Sequence, residues 1–267
     1  MSKLTTLSRT FLTAAVLSAA LAAGVFASSG ASPSADPGAT ADSSGAQSDA
    51  PPAKEATDAD SGRIPEPKQI GGEPDGIVQV ANLVYAGTKS STCFSDHFLV
   101  QAEKDSAIST SRRFHAVKLS SEELFEFPLV IMTGEGEFEL PDAERQNLRK
   151  FVEGGGFLLA SAGCSSPEWD RSFRAEMAKV FPELPLAAIG MDHAVFHTVY
   201  DIGQLNAKHG NIRPLEGISV AGRLGVLYSQ DGLNDTAQTQ GCCCCGGNEI
   251  TNSQQVNVNI LAYALLY

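Results

Sequence analysis

The chain is short of positive charge. Its 267 residues include 19 Lys and Arg against 31 Asp and Glu, which gives a formal net charge of −12. So acidic a surface repels a phosphate backbone, and the composition therefore excludes nucleic acid as a general partner. A hydrophobic fraction of 43% is too high for a wholly disordered chain.

The sequence also lacks an apolar run long enough for a clear membrane span. Residues 11–26 form an apolar, Ala-rich segment that is shorter than the roughly 20 residues a spanning helix needs. Lys3 and Arg9 precede this segment, and Val25-Phe26-Ala27 fits a signal-peptide cleavage site. We therefore predict a signal peptide over 1–27, an exported (periplasmic or extracellular) protein, and no stable membrane span after cleavage. Retention of the segment as an anchor is the alternative.

Large aliphatic residues are nearly absent from 28–75, where Ile64 and Ile70 are the only ones among Ala, Ser, Asp, Pro and Gly. Such a segment buries too little apolar area to offset the entropy of ordering it, which predicts a disordered linker. From residue 76 onward, apolar runs typical of strands alternate with segments of helical periodicity. The pattern predicts one α/β domain over 76–267, with a mostly parallel sheet covered by helices on both faces.

Ligands of open parallel sheets bind beyond the carboxyl ends of the strands, and the cysteines follow predicted strands at that edge. Cys93 comes after the strand 77–85, Cys164 comes after the strand 157–160, and the run Cys242, Cys243, Cys244 and Cys245 lies in a long polar loop. Three interpretations remain open. The thiols form disulfides, for which six cysteines allow 15 pairings; they bind zinc or copper together with His97; or Cys164 is a nucleophile.

Two further motifs contain candidate site residues. Gly134-Glu135-Gly136-Glu137 follows a buried strand. Its carboxylates would repel a phosphate, which disfavours a nucleotide. Carboxylates at this position are instead candidates for binding a cation or for acting as a general base. His193 and His197 are four residues apart, which would place both rings on one face of a helix as a metal pair or as a base. The alternative is that Asp192 is an ordinary helix N-cap.

Four segments together resemble one bacterial family. They are LFEFPLVIMTGEGEFELPDAERQNLRKFVEGGGFLLASAGC, MDHAVFHTVYDI, PLEGISVAGRLGVLYSQDGLN and VNVNILAYALL. The chain resembles domain of unknown function 4159, a family similar in fold to class I glutamine amidotransferases and to ThuA-like proteins. The resemblance implies a flavodoxin-like three-layer sandwich and no established activity.

The sequence departs from the amidotransferase pattern at the nucleophile. Those enzymes have a G-x-C-x-G elbow directly after the strand, whereas here Ser161 occupies that place and Cys164 follows three residues later. No late His-x-Glu pair is present, so glutaminase activity is disfavoured. We favour a non-catalytic binding module whose Cys-rich cleft binds a metal, a small polar ligand or an unknown protein partner, or is cross-linked. The alternative is a hydrolase or transferase that uses Cys164 or Ser161, with His193 or His197 as base and Glu135 as orienting group.

Overall fold

The computed structural model describes residues 76–242 and 247–267. The predicted signal peptide, the predicted linker and Cys243, Cys244 and Cys245 lie outside these residues. Within them, strands and helices alternate along the chain, and the helices are α1 (His97–Asp105), α2 (Asp142–Glu153), α3 (Pro167–Val180) and α4 (Ser253–Leu266).

Eight strands form one mixed, mostly parallel sheet, which confirms the predicted α/β class. The strands are β1 (Val78–Tyr85), β2 (Lys89–Ser90), β3 (Thr110–Lys118), β4 (Leu129–Gly134), β5 (Phe157–Ala162), β6 (Ala187–Ala188), β7 (Glu216–Val220) and β8 (Arg223–Ser229). The parallel strands lie in the order β3-β1-β4-β5-β8. The short β2 pairs antiparallel with the end of β1, and β7 and β6 extend the other side of the sheet in antiparallel pairing.

The central strands β4 and β5 are almost wholly buried because helices cover both of their faces. All six residues of β5 are buried, in agreement with the continuous apolar run of its sequence. Successive side chains of a strand point to opposite faces, and in β4 Ile131 belongs to the core cluster that contains α1 and α4 residues, whereas Met132 belongs to the cluster that contains α2 and α3 residues. The two apolar cores therefore lie on opposite faces of the sheet.

Local sequence explains where α3 begins. The Ser166 hydroxyl accepts a hydrogen bond from the backbone N–H of Trp169, and Pro167 is at the first helical position. The start of this helix is thus determined next to the end of β5. The residues between them, 163–166, form a tight connection at the carboxyl edge, by which we mean the edge of the sheet where the parallel strands end.

Helix α4 is predicted by the apolar sequence at the end of the chain and extends three residues further toward its N-terminus, to Ser253. Nearly all faces of this helix are buried, and its buried residues include two asparagines. Asn257 donates from Nδ2 to the carbonyl of Leu233, 2.9 Å away, and Asn259 binds the backbone of Val199 and Tyr200. The helix therefore holds the loops that follow β8 and that precede β7. No helix among the described residues is long and apolar enough to cross a bilayer.

Candidate functional site

The loops after β1, β4 and β5 enclose a small cleft at the carboxyl edge. It has a volume of about 170 Å³ and is lined by Tyr85, Lys89, Ser90, Thr92, Cys93, Thr133, Gly134, Glu135 and Gly163. We refer to it as the carboxyl-edge cleft. Its place agrees with the expectation that the connecting loops of a parallel sheet converge beyond the strand ends.

Buried side chains fix the floor of this cleft. Trp169 Nε1 donates to the Tyr85 hydroxyl at 2.9 Å, and that hydroxyl donates to the carbonyl of Thr133 at 3.1 Å. Burial raises the pKa of Tyr85 to about 12, so the phenol is a neutral hydrogen-bonding group. Gly134 is required here, because a Cβ at this position would lie 2.4 Å from the Tyr85 hydroxyl.

Asn234 connects three parts of the carboxyl edge. Its Nδ2 donates to Thr133 Oγ1 on β4 at 2.9 Å and to the carbonyl of Cys93 at 3.0 Å, while its Oδ1 accepts from the hydroxyl of Ser161 on β5. Asn234 is only 2% exposed. Removal of its side chain would leave buried polar groups unsatisfied. The hydrogen bonds of Asn234 therefore link β4, β5 and the Cys93 loop behind the cleft.

Of the three interpretations of the cysteines, the disulfide interpretation holds for Cys93 and Cys242. Cys93 and Cys242, 149 residues apart in sequence, form a disulfide. This corrects the interpretation of these two residues as zinc or copper ligands, because a disulfide sulfur carries no thiolate. The bridge attaches the loop that lines the cleft to the loop after β8.

Cys164 lies where the chain turns from β5 toward α3. Cys164 and Ser165 both adopt left-handed backbone conformations, with φ of 50° and 52°. The Cys164 thiol donates to Glu135 Oε1 at 3.1 Å. The structure thus brings together Cys164 and Glu135, which sequence analysis proposed separately as nucleophile and orienting carboxylate.

Ser161 does not have the environment of a nucleophile. It lies within β5 and has no exposed surface, and its hydroxyl accepts from the N–H of Leu233 at 2.8 Å while donating to Asn234. The turn predicted at Ser161 occurs at Cys164 instead, because β5 continues through Ala162. Ser161 is a buried structural hydroxyl.

His193 and His197 do not share a helical face, which corrects the expectation from their spacing. They flank a short 3-10 helix, Ala194–Phe196, and His193 is its N-cap with extended backbone. His193 Nδ1 accepts from the N–H of Val195 at 3.1 Å. Both ring nitrogens of His197 are engaged, with Asp201 Oδ1 at 2.6 Å and the carbonyl of Met191 at 2.7 Å.

The structure does not bring His193 to Cys164. His193 lines a second pocket with Gly222 and Leu224, at the start of β8. The partner of β8 in the sheet is β5, with Ser161 opposite Ser229 at the other end of β8. Five residues separate Leu224 from Ser229, about 17 Å of extended strand. His193 therefore lies at the opposite edge of the sheet, called the amino edge below.

The electrostatic surroundings of the two histidines differ. Hydrogen bonds to the Met191 carbonyl and to Asp201 raise the pKa of His197 above 6.5, whereas burial lowers the pKa of His193 below 6.5. His97 is exposed at the start of α1. Within 76–242 and 247–267, no group of three or more His, Cys, Asp or Glu side chains is arranged to hold a metal ion. The zinc or copper prediction for Cys243, Cys244 and Cys245 stays untested.

Sequence analysis missed several cleft residues. Tyr85 and Lys89 face each other across the pairing of β1 and β2, and Trp169 reaches the cleft floor from α3. Asn234, which lies behind the cleft, is different, because it follows a predicted strand in the polar segment that contains the cysteine run and is therefore a candidate for orienting a ligand. The others belong to strands or helices where periodicity indicates only packing.

The boundaries of the fold match those of a known family. The sequence model described as Domain of unknown function (DUF4159) matches residues 80–265, from β1 to α4. The chain belongs to this family. The DUF4159 match thus contains the carboxyl-edge cleft with all its lining residues, and it leaves out residues 1–79. No curated protein matches the chain.

Proposed function

We propose that this DUF4159 domain is a binding module that holds a small polar ligand in the carboxyl-edge cleft. The position of the cleft carries the proposal. Strand β1 has β3 on one side and β4 on the other, and the chain order reverses between β1 and β4. Tyr85 at the end of β1 and Thr133 at the end of β4 line the cleft. In open α/β sheets, ligands bind at such a topological switch point.

We further propose that the fold is the flavodoxin-like three-layer sandwich of class I glutamine amidotransferases and ThuA-like proteins. The parallel strand order β3-β1-β4-β5-β8 supports this, because it is the 2-1-3-4-5 order of doubly wound flavodoxin-like sheets. The two core clusters on opposite faces support the three layers. Glutaminase activity remains disfavoured, since His193 lies at the opposite edge of the sheet from Cys164.

The floor and the rim of the cleft favour preorganised binding. Tyr85 and Thr133 are held by buried hydrogen bonds, and the Cys93–Cys242 disulfide restrains the loop on one side. A site that is ordered before the ligand arrives loses less entropy on binding. The disulfide also supports our proposal that the protein is exported, because such bonds persist in oxidising compartments.

A fragment screen with a blocking variant tests this function. Ligand-observed NMR with small polar compounds is expected to yield binders to the oxidised mature chain. Thr92→Trp, at an exposed rim position, is expected to abolish their binding by filling the cleft. Ser219→Trp is the matched control, because Ser219 is exposed at the second pocket. An absence of binders, or binding that survives Thr92→Trp, would overturn the proposal.

A second candidate function is thiol-dependent acyl transfer or hydrolysis at Cys164. The left-handed backbone at the turn after β5 and the 3.1 Å contact with Glu135 favour it. We propose that the Cys164 sulfur attacks an acyl carbon while Glu135 takes the thiol proton and passes it to the leaving group. Water then hydrolyses the thioester and releases the acid and the thiol.

Acylation of the protein is the readout for this second candidate. Intact-mass spectrometry after incubation with p-nitrophenyl acetate is expected to show one added acetyl group, absent from Cys164→Ala and formed more slowly in Glu135→Gln. Acetylation that persists in Cys164→Ala, or an unmodified wild-type protein, would exclude Cys164 as the nucleophile.

A further inference from the structure

Two opposite charges line the carboxyl-edge cleft without pairing with each other. Lys89 on β2 and Glu135 after β4 are both lining residues. Lys89 is in register with Tyr85, so the β1–β2 hairpin determines its place at the rim. Among the described residues no carboxylate forms an ion pair with the Lys89 ammonium, and Glu135 uses Oε1 for the Cys164 thiol. Glu135 Oε2 is left for another donor.

This arrangement disfavours ligands that carry charge of only one sign. A metal cation attracted by Glu135 would be repelled by Lys89, and a multivalent anion attracted by Lys89 would be repelled by Glu135. A ligand with both signs would satisfy both groups. The charges of the cleft therefore select for a dipolar molecule.

The volume of the cleft limits the size of such a molecule. The cleft has a volume of about 170 Å³. Drug-sized ligands need pockets of roughly 300 Å³ or more. The ligand thus has about the size of glycine or β-alanine.

We propose that the carboxyl-edge cleft recognises a small zwitterion, with its carboxylate on Lys89 and its ammonium on Glu135 Oε2. The exposed Ser90 and Thr92 lie at the same rim and supply hydroxyls to the carboxylate. Charge-assisted hydrogen bonds are the stronger class of hydrogen bond, and a bound zwitterion makes them at both ends. This assignment rests on the proposed binding function and names the chemistry of its ligand.

Calorimetric titration of the oxidised mature chain with four matched probes tests the assignment. Glycine and β-alanine carry both charges, acetate carries only the negative charge, and methylammonium only the positive one. We expect at least one zwitterion to bind about tenfold more tightly than either singly charged probe. That factor corresponds to about 1.4 kcal/mol.

Charge variants show whether Lys89 and Glu135 are responsible. Lys89→Met and Glu135→Gln are each expected to weaken zwitterion binding about tenfold, while acetate binding weakens in Lys89→Met and strengthens in Glu135→Gln, which removes a repelling charge. The double variant Lys89→Glu/Glu135→Lys is expected to restore binding to within about threefold, because the ligand can turn round. Glu137→Gln is the control, since Glu137 lies two residues from Glu135 and its side chain is 75% exposed.

The outcomes separate this inference from the proposed binding function. If acetate or methylammonium binds as tightly as the better of the two zwitterions, or if neither single variant weakens zwitterion binding, the dipolar assignment is wrong while the cleft remains a ligand site. If none of the four probes binds but fragments sensitive to Thr92→Trp do, the zwitterion is also rejected. If neither probes nor fragments bind, the proposed function fails as well.

Discussion

The carboxyl edge and the amino edge of the sheet differ in the backbone conformation of their loops. Seven non-glycine residues among those described have left-handed backbone conformations. Five of them lie in loops at the carboxyl edge: Ala86, Cys93, Cys164, Ser165 and Asp235. The other two lie toward the amino edge, namely Arg112 near the start of β3 and Ala221 in the β7–β8 turn.

Left-handed residues with side chains are costly, at about 1–3 kcal/mol each. They persist only where the surrounding structure determines them, and at the carboxyl edge that structure is the Asn234 network and the Cys93–Cys242 disulfide. At the amino edge the β7–β8 turn includes Gly222, with φ of 82°, which adopts this conformation without a Cβ clash. Glycines with positive φ occur in the carboxyl-edge loops as well, for example Gly87 and Gly136. The difference between the edges is therefore the number of strained residues that carry side chains, five against two.

Among the variants that test the comparison of the two edges, loss of the disulfide is expected to change the free energy of unfolding most. The double variant Cys93→Ala/Cys242→Ala should lower the free energy of unfolding by about 4 kcal/mol, because the bridge closes a loop of 149 residues in the unfolded chain. Urea unfolding under oxidising conditions measures it. Wild-type protein treated with reductant is the control and should approach the stability of the variant. Equal stability of variant and oxidised wild type would show that the carboxyl edge needs no cross-link.

Asn234→Ala is expected to come next, at about 3 kcal/mol, because it removes the acceptor of the buried Ser161 hydroxyl and the donor to Thr133 Oγ1 and to the Cys93 carbonyl. Chemical denaturation measures the loss. Asn206→Ala, at an exposed position, is the matched control and should change stability by less than about 0.5 kcal/mol. A loss as small as that of the control would mean that Asn234 does not stabilise the carboxyl edge.

Glycine substitutions compare the strain at the two edges directly. Cys164→Gly and Ala221→Gly should each stabilise the fold by about 1 kcal/mol or less, because glycine relieves a left-handed conformation. Cys164→Ala keeps the conformation and separates loss of the thiol from relief of strain. Ligand binding in the cleft should change in Cys164→Gly and stay unchanged in Ala221→Gly. Destabilisation by both substitutions would contradict strain at these sites.

The smallest expected effects come from the two histidines, whose pKa values shift in opposite directions from 6.5. Since the pKa of His197 is raised, its contribution to stability is present below pH 6.5 and is lost as the pH rises through its folded value. Since the pKa of His193 is lowered, its contribution is present above pH 6.5 and is lost as the pH falls toward its folded value. NMR titration of the imidazole signals measures both values.

Variants assign these titrations to each ring. His197→Gln should remove the loss of stability that occurs as the pH rises above 6.5 through the raised pKa of His197, and His193→Gln should remove the loss that occurs as the pH falls below 6.5 toward the lowered pKa of His193. Identical titration of the two rings near 6.5 would show that their surroundings do not differ as the structure indicates.

Much of the fold could be predicted from local pattern, and the failures share a cause. The runs at β4 and β5 and the capped helix α3 follow from the neighbours of each residue in sequence. The histidine spacing misled because a four-residue interval is typical of an α-helix, whereas the segment is held as a short 3-10 helix by packing and by contacts such as His197 with Asp201. Ser161 resembles an elbow residue in sequence, but β5 continues past it.

By itself, the sequence determined the alternation of strands and helices and the edge of the sheet at which Cys93 and Cys164 would lie, because these depend on periodicity and on the ends of predicted strands. Only the tertiary structure decided that Cys93 pairs with Cys242, that Asn234 joins β4 to β5, and that Lys89 and Glu135 line one cleft. These contacts join residues far apart in the chain. They depend on the order in which strands assemble in the sheet, and no local pattern encodes that order.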